Sequence, residues 1–443
     1  MPNHIPVGHD DGAAILHGLE LLRVESAKQA AILATQAGTT VPSTLLNDWP
    51  AVRAAIRDGY ASGIMPVGTQ FVAGFEDSHA STTTDYDAPW DIAHYADATI
   101  DGGDTIPVMY AQMHYCLPFD TQFSNYQAFL YAIDSLPAGT YNVTMGVSWG
   151  TNVVSGRTYQ FTLTQALPAK GQLTGFYGAP DQSPSNWKVY AWASQTATSA
   201  TETVDVTEGS GGVSLGTFTF AGAQQVPASG TPEANSTVTV DGATVRYYGL
   251  NALRRVAYGN NRWLHSPLRQ WLNAQGTGWY VPQTVFDRPP AYVSYPGFLS
   301  MLPAELVNSM RRVAQVTATN YETDGGTSSE PLSDVTYDRV FLPSWEQHYL
   351  RVDSSYGGTA GLEGEAWDYW KAVNGTSTPP AAGTTNREYI QFDLAGSHAA
   401  RTCWMRSAGR YGGHTVAFVY SSGYCSNNSA CSGNRVAPAC AIG

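Results

Sequence analysis

The sequence predicts an α+β protein: a helical stretch first, then a mixed α/β body interrupted by an all-β insertion. Three observations carry this. Apolar residues recur at helical spacing through residues 1–63. From Met65 the apolar period shortens to two. Residues 137–240 then hold short Thr-rich runs between Gly, Pro and Ser turns, and mixed patterning resumes beyond them.

In order, Ile15, Leu16, Leu19, Leu22, Ile32 and Leu33 mark a first helix in an Ala-rich segment. A Thr-Val-Pro-Ser break at 40–43 precedes a second helix over about Leu45–Ala61, with Trp49, Val52, Ile56 and Tyr60 on one face. This is too small to be an independent domain. It reads as an arm that packs against a partner, or as a hairpin docked on its own domain. His4, His9, Asp10 and Asp11 form no metal pattern.

Val67–Phe75 and Pro107–Tyr115 alternate and carry β-branched or aromatic residues, so both are expected as strands. A short helix is expected over Tyr126–Leu136. Strands follow in Leu136–Tyr141, Thr158–Thr164, Glu202–Thr207 and Leu215–Phe220, a spacing that suggests a β-sandwich. Pro227–Pro232 is a linker. Beyond it, Ser266-Pro267 is a helix start with Pro at the first helical position, and a further helix spans Pro303–Val313. The resulting division is a helical N-terminal arm (1–63), one body formed by 64–123 and 245–443, and a β-sandwich insertion (124–244).

Composition excludes several classes. Charged residues make up 13% of the chain, against roughly 25% in an average soluble protein. Twelve Trp and 26 Tyr favour buried cores and aromatic contact surfaces. A net charge of −13 leaves no basic stripe to displace counterions, so no nucleic acid partner is expected. No run of 18 apolar residues occurs, so no membrane insertion is expected. The N-terminus has no basic stretch followed by an apolar one, so no secretory signal is expected. The five cysteines, Cys116, Cys403, Cys425, Cys431 and Cys440, are odd in number and lack metal-like spacing. Cys403 and Cys440 read as small buried hydrophobes.

The last forty residues have another character. Between Gly409 and Arg435 there is no Asp, Glu, Lys, Leu, Ile, Met or Pro, and Gly, Ser, Tyr and Asn fill 16 of the 27 positions. That is the composition of a paratope: Tyr brings contact area at low entropy cost, and Ser, Gly and Asn bring adaptable hydrogen bonds. An ordinary Gly/Ser-rich loop shares it. The flanks are Trp404-Met405-Arg406-Ser407 on one side and Val436-Ala437-Pro438-Ala439-Cys440 on the other, with Val419-Tyr420-Ser421-Ser422-Gly423 between them.

These flanks and this interior resemble the C-terminal variable region of diversity-generating retroelement variable proteins, a family that includes phage receptor-binding proteins. The resemblance implies a C-type lectin fold of the formylglycine-generating-enzyme type. Ser266–Asn273 and Asp338–Ser344 resemble other signatures of that fold, so the resemblance covers most of residues 245–443, and the strands of 64–123 look like its start. In the family, adenine-directed mutagenesis rewrites Asn-type codons within a fixed scaffold. Gly409, Arg410, Tyr411, Gly412, Gly413, His414, Thr415, Phe418, Tyr420, Tyr424, Ser426, Ser429, Cys431 and Ser432 are all reachable from such codons. They are therefore the expected ligand-binding positions, with Trp404, Arg406 and Pro438 as scaffold. Tyr411, His414, Phe418, Tyr420 and Tyr424 are expected exposed together on one face, with Arg410 at its edge. The resemblance further implies a virion protein, made in a bacterial cytoplasm, that binds a host cell-surface protein or glycan. Contact with other virion proteins through the N-terminal arm and a homo-oligomer (taken as a trimer) are expected, with no cofactor and no catalysis. A structural or decoration protein of the virion whose C-terminal face is incidental is the alternative, and a carbohydrate-active enzyme the second.

Enzyme motifs are weak. Gly146-Val147-Ser148-Trp149-Gly150 matches a nucleophile elbow in pattern, but a strand rather than a helix is expected after it. Gly209-Ser210-Gly211-Gly212 lacks the Lys-Ser/Thr of a phosphate loop. Glu363, Glu365 and Asp368, set among Trp367, Tyr369 and Trp370, could suggest a glycosidase, but read more simply as loop and cap positions beside packing tryptophans.

Overall fold

A computed structural model of the chain describes residues 46–78, 83–119 and most of 260–443, and between 120 and 259 the backbones of nine strands. The molecule has helices and several sheets, a mixed α+β architecture.

Two short helices come first, α1 (Trp49–Arg57) and α2 (Ala61–Ile64). The Asp48 side chain accepts from Ala51 N at 3.3 Å, and Pro50 occupies the first turn, where its missing N–H costs nothing. Trp49, Val52, Ala55 and Ile56 are buried in the main core, and the Trp49 ring meets Phe71 edge-on at 5.1 Å. Arg53 Nε donates to the carbonyl of Gly443. This helix is therefore docked on its own chain, as the second of the two alternatives expects. The first expected helix lies outside the described residues.

Strands β1 (Gln70–Asp77), β2 (Thr84–Thr99) and β3 (Thr105–Met113) form an antiparallel meander, followed by β4 (Leu117–Pro118). The insertion supplies β5 (Tyr126–Ala132), β6 (Gly139–Thr144), β7 (Thr158–Leu163), β8 (Gln172–Tyr177), β9 (Lys188–Trp192), β10 (Glu202–Asp205), β11 (Thr207–Glu208), β12 (Thr237–Val240) and β13 (Ala243–Tyr247). They make a six-stranded sheet, β10-β9-β8-β5-β13-β12, and a three-stranded one, β11-β7-β6. The helix expected over Tyr126–Leu136 is instead strand β5. It lies between β8 and β13 and hydrogen-bonds to both, and such pairing overrides local preference. Leu215–Phe220, the linker, Ser148 and the Gly209–Gly212 run lie outside the described residues.

The chain then forms α3 (Pro267–Leu272) and α4 (Ala304–Ser309). Ser266 and Pro267 stand at the start of α3, as their types suggest. The second helix ends before Val313, because Arg311 N donates to Ala441 O and Met310 bridges Ile442. Strands β14 (Val313–Ala318) and β15 (Ser333–Asp338) make a ribbon, and β16 (Val340–Phe341) follows. After α5 (Asp368–Asn374) come β17 (Gln391–Phe392), β18 (Ala400–Arg401), β19 (Cys403–Ala408), β20 (Thr415–Val419), β21 (Cys425–Ser429), β22 (Arg435–Val436) and β23 (Ala439–Ile442).

Both sheets of the body combine distant parts of the chain. One runs β1-β2-β3-β23-β16, with β23 seated between β3 and β16. The other runs β21-β20-β19-β22-β4, in which β19 and β22 are parallel. One hydrophobic core joins α1, the first sheet and the start of the second, with Trp90, Trp271, Trp345 and Trp367 wholly buried. Helix α5 is tied to the first sheet: Trp370 Nε1 donates to Gln112 Oε1, and Asp368 lies 3.0 Å from His94 Nδ1. Among the described residues no helix is long and apolar enough to cross a membrane.

Candidate binding face on the C-terminal sheet

Strand β19 is buried along its whole length, from Cys403 to Ala408. Its Arg406 is fixed by acceptors on every side. Nε donates to Thr317 Oγ1, Nη1 to Leu342 O and Gln347 Oε1, and Nη2 to Val316 O and Glu363 O. Burial lowers its pKa to about 10 against the attraction of Glu363, so it stays charged at neutral pH. Glu363 is buried as well, and burial raises its pKa while Arg406 and the bonds from Ser407 and Ala318 oppose the rise. Glu363 is in a loop, as its sequence setting suggests, but it is buried there and ties β14 to β19. Glu365 and Asp368 each face one nitrogen of His94, at 3.0 Å, so the three acids do not share a cleft. Trp404 and Pro438 are buried too.

Next to this strand the backbone of 409–415 is held from outside. Asn320 Nδ2 donates to the carbonyls of Gly409 (2.6 Å) and Arg410 (2.8 Å), and Asn261 Nδ2 to that of Thr415 (3.0 Å). Gly409 N closes the turn on Thr415 O at 2.7 Å. These carbonyls are satisfied by side chains from other parts of the chain, so the two ends of the segment are anchored from outside it. The Arg410 guanidinium lies over the Tyr321 ring, 5.8 Å from its centre. Tyr411 and Gly412 lie outside the described residues.

At the other end of β20, Gly423 N donates to Tyr420 O and Tyr420 N to Tyr424 O. The Tyr420 ring rests edge-on against Phe418 at 4.4 Å and lies 6.0 Å from Tyr424. Tyr420 is 42% exposed. Tyr424, Arg410, His414, Thr415, Ser426, Ser429, Cys431 and Ser432 are half-buried, and Gly413 is buried.

Three expectations are corrected here. Phe418 is not exposed: it has 0% accessibility, because its pairing with Trp404 and Ser426 turns it inward beneath Tyr420. Gly409 is not open to replacement, since a Cβ there would stand 2.0 Å from Thr415 Oγ1 and 3.0 Å from Thr415 O. Nor do the described aromatics form one group with Arg410 at its edge. Arg410 and His414 precede β20 and Tyr420 and Tyr424 follow it, so about 20 Å of strand separates the two groups. Sequence reasoning also missed Asn261 and Asn320, whose role has no local signal. None of the five cysteines is in a disulfide, and all but the half-buried Cys431 are buried.

The body is thus an α+β unit whose C-terminal sheet carries a side-chain-rich ribbon over a buried strand. Residues 244–443 match the family model described as "Domain of unknown function (DUF6273)". No curated protein and no solved structure matches the chain.

Proposed function

We propose that this is a receptor-binding display protein with a C-type lectin-like body of the retroelement variable-protein type. It is carried on a phage or prophage particle and binds a host-surface protein or glycan through the side chains of 410–432. The observation that carries this reading is the division of labour around β20. Strand β19 and its Arg406 network are buried, Asn261 and Asn320 fix the neighbouring backbone, and half-exposed side chains of paratope-like composition cover the outside. The ligand-binding positions are Arg410, Tyr411, Gly412, His414, Tyr420, Tyr424, Ser426, Ser429, Cys431 and Ser432. No catalytic role is assigned.

Sequencing the surrounding locus tests this. The expected result is a near-copy of the DNA encoding about Trp404–Pro438, differing mainly where the copy has adenine, beside a reverse transcriptase gene. Finding no repeat, or mismatches spread over all four bases, would sink the retroelement reading.

A further inference from the structure

We propose that Arg387, which lies outside the diversified run, is a fixed anchor for a carboxylate on a protein partner, acting beside Tyr420 and Tyr424. The inference rests on the binding-face reading and adds to it a residue and a partner chemistry.

Arg387 opens a short 3-10 turn, Arg387–Tyr389, that is held rigidly. The Asn386 side chain accepts from Glu388 N (3.1 Å) and donates to Asn374 Oδ1 (2.6 Å). Tyr389 is buried against Trp370, and its hydroxyl donates to Tyr349 O. The turn abuts the tyrosine corner. Asn386 N donates to Gly423 O at 3.0 Å, and Thr385 bridges Tyr424. Gly423 has φ +81°, and a Cβ there would stand 2.1 Å from Asn386 O and 3.1 Å from Arg387 N. The corner therefore sits directly on the Arg387 turn, and its geometry needs a glycine.

Arg262, Arg269, Arg312, Arg401 and Arg435 are each paired with an aspartate. Arg387 is exposed, and its guanidinium has no ion pair or hydrogen bond among the described residues. In a chain of net charge −13 an unpaired guanidinium on the turn that abuts the tyrosine corner is a local positive point in a negative field. Guanidinium takes carboxylate through two parallel N–H···O bonds, and Tyr with Arg is the composition in which interface binding energy concentrates. Glu388, exposed on the same turn, disfavours a continuous acidic stretch. The partner segment that fits carries one Asp or Glu flanked by apolar or aromatic side chains.

The test uses the full chain, immobilised and panned with a random-peptide display library. Recovered peptides are measured against the wild type, Arg387→Ala, Arg387→Glu and the Tyr420→Ser/Tyr424→Ser double variant. Expected are peptides enriched in a single acid next to an apolar residue. Loss of a charged hydrogen-bonded pair should weaken binding about tenfold or more in Arg387→Ala, at unchanged melting temperature. Replacing the peptide's acid by Lys should restore binding to Arg387→Glu. If the double tyrosine variant loses the peptides while Arg387→Ala keeps them, the anchor is overturned and the binding face stands. If neither variant changes the binding of the recovered peptides, both are overturned; if no peptide is recovered, the carboxylate anchor is overturned and the binding face is left to a glycan ligand.

Discussion

Replacing Phe418 by Ala separates the buried layer of this face from the exposed one. Phe418 has 0% accessibility, and its ring lies 6.0 Å from Trp404 and 4.4 Å from Tyr420. Truncating a phenylalanine in such a site costs about 3–5 kcal/mol, the sum of lost transfer energy and the cavity left behind. Tyr420 stands above it with 42% of its surface exposed. Its truncation to Ser loses one edge-to-face contact and little burial, about 1 kcal/mol. For a body of this size each kcal/mol shifts the melting temperature by roughly 2–4 °C. Phe418→Ala should therefore melt about 6–20 °C below the wild type, and Tyr420→Ser only about 2–4 °C below it. Scanning calorimetry at matched protein concentration measures both. Equal shifts, or a Phe418→Ala variant within about 2 °C of the wild type, would refute the layering. The same comparison predicts that Tyr420→Ser, still folded, loses ligand binding.

Other outcomes follow from the same geometry. Asn320→Ala removes the shorter donor from two carbonyls, leaving Gly409 O with Asn261 Nδ2 at 3.5 Å and Arg410 O with Tyr321 N at 3.2 Å, and should cost about 1–2 kcal/mol, with faster exchange of the Gly409 amide as the direct readout. Gly409→Ala forces a Cβ against Thr415 and should destabilise by about 1–3 kcal/mol in urea unfolding, although a codon-reachability argument marks the position as replaceable. Trp404→Ala, in the buried strand, should cost about 3–5 kcal/mol by thermal melt. Burial lowers the His348 pKa from 6.5 to about 3, with a hydrogen bond to the Ser344 backbone opposing and Arg406 adding to the shift. The unfolded chain takes up this proton first, so the stability His348 contributes is present above its unfolded value near 6.5 and lost as pH falls towards 3. The loss is at most about 1.4 kcal/mol per pH unit, and a His348→Gln variant should show a correspondingly flatter dependence of urea stability between pH 7 and pH 4.

Some of the fold was legible because its signals are local. Ser266 with Pro267 marks a helix start through its own backbone chemistry, whereas the Asp48 cap, which starts the earlier helix at Trp49 rather than near Leu45, was not read from the sequence. The β-branched and aromatic runs near Gln70–Asp77 and Thr105–Met113 mark strands. The 16-residue strand Thr84–Thr99 was not legible. It carries four Asp, four Ala and a Pro, and it is extended because β1 and β3 pair with it on both sides.

By itself, the sequence determined where the side-chain-rich run lies, what residue types fill it, and that Trp404 and the Val436–Ile442 segment belong to an apolar frame. Only the tertiary structure decided which members of that run face out. Strand β20 is covered on both faces over Ala417–Val419, so alternation along the strand does not tell inside from outside there. Exposure begins only at Tyr420, where the strand has ended and the chain turns through Gly423 towards β21. The clamps on 409–415 were equally hidden. Asn320 is 89 residues from Gly409, and Asn261 is 154 residues from Thr415. A hydrogen bond between such positions exists only once the chain has closed, so no spacing along the chain encodes it.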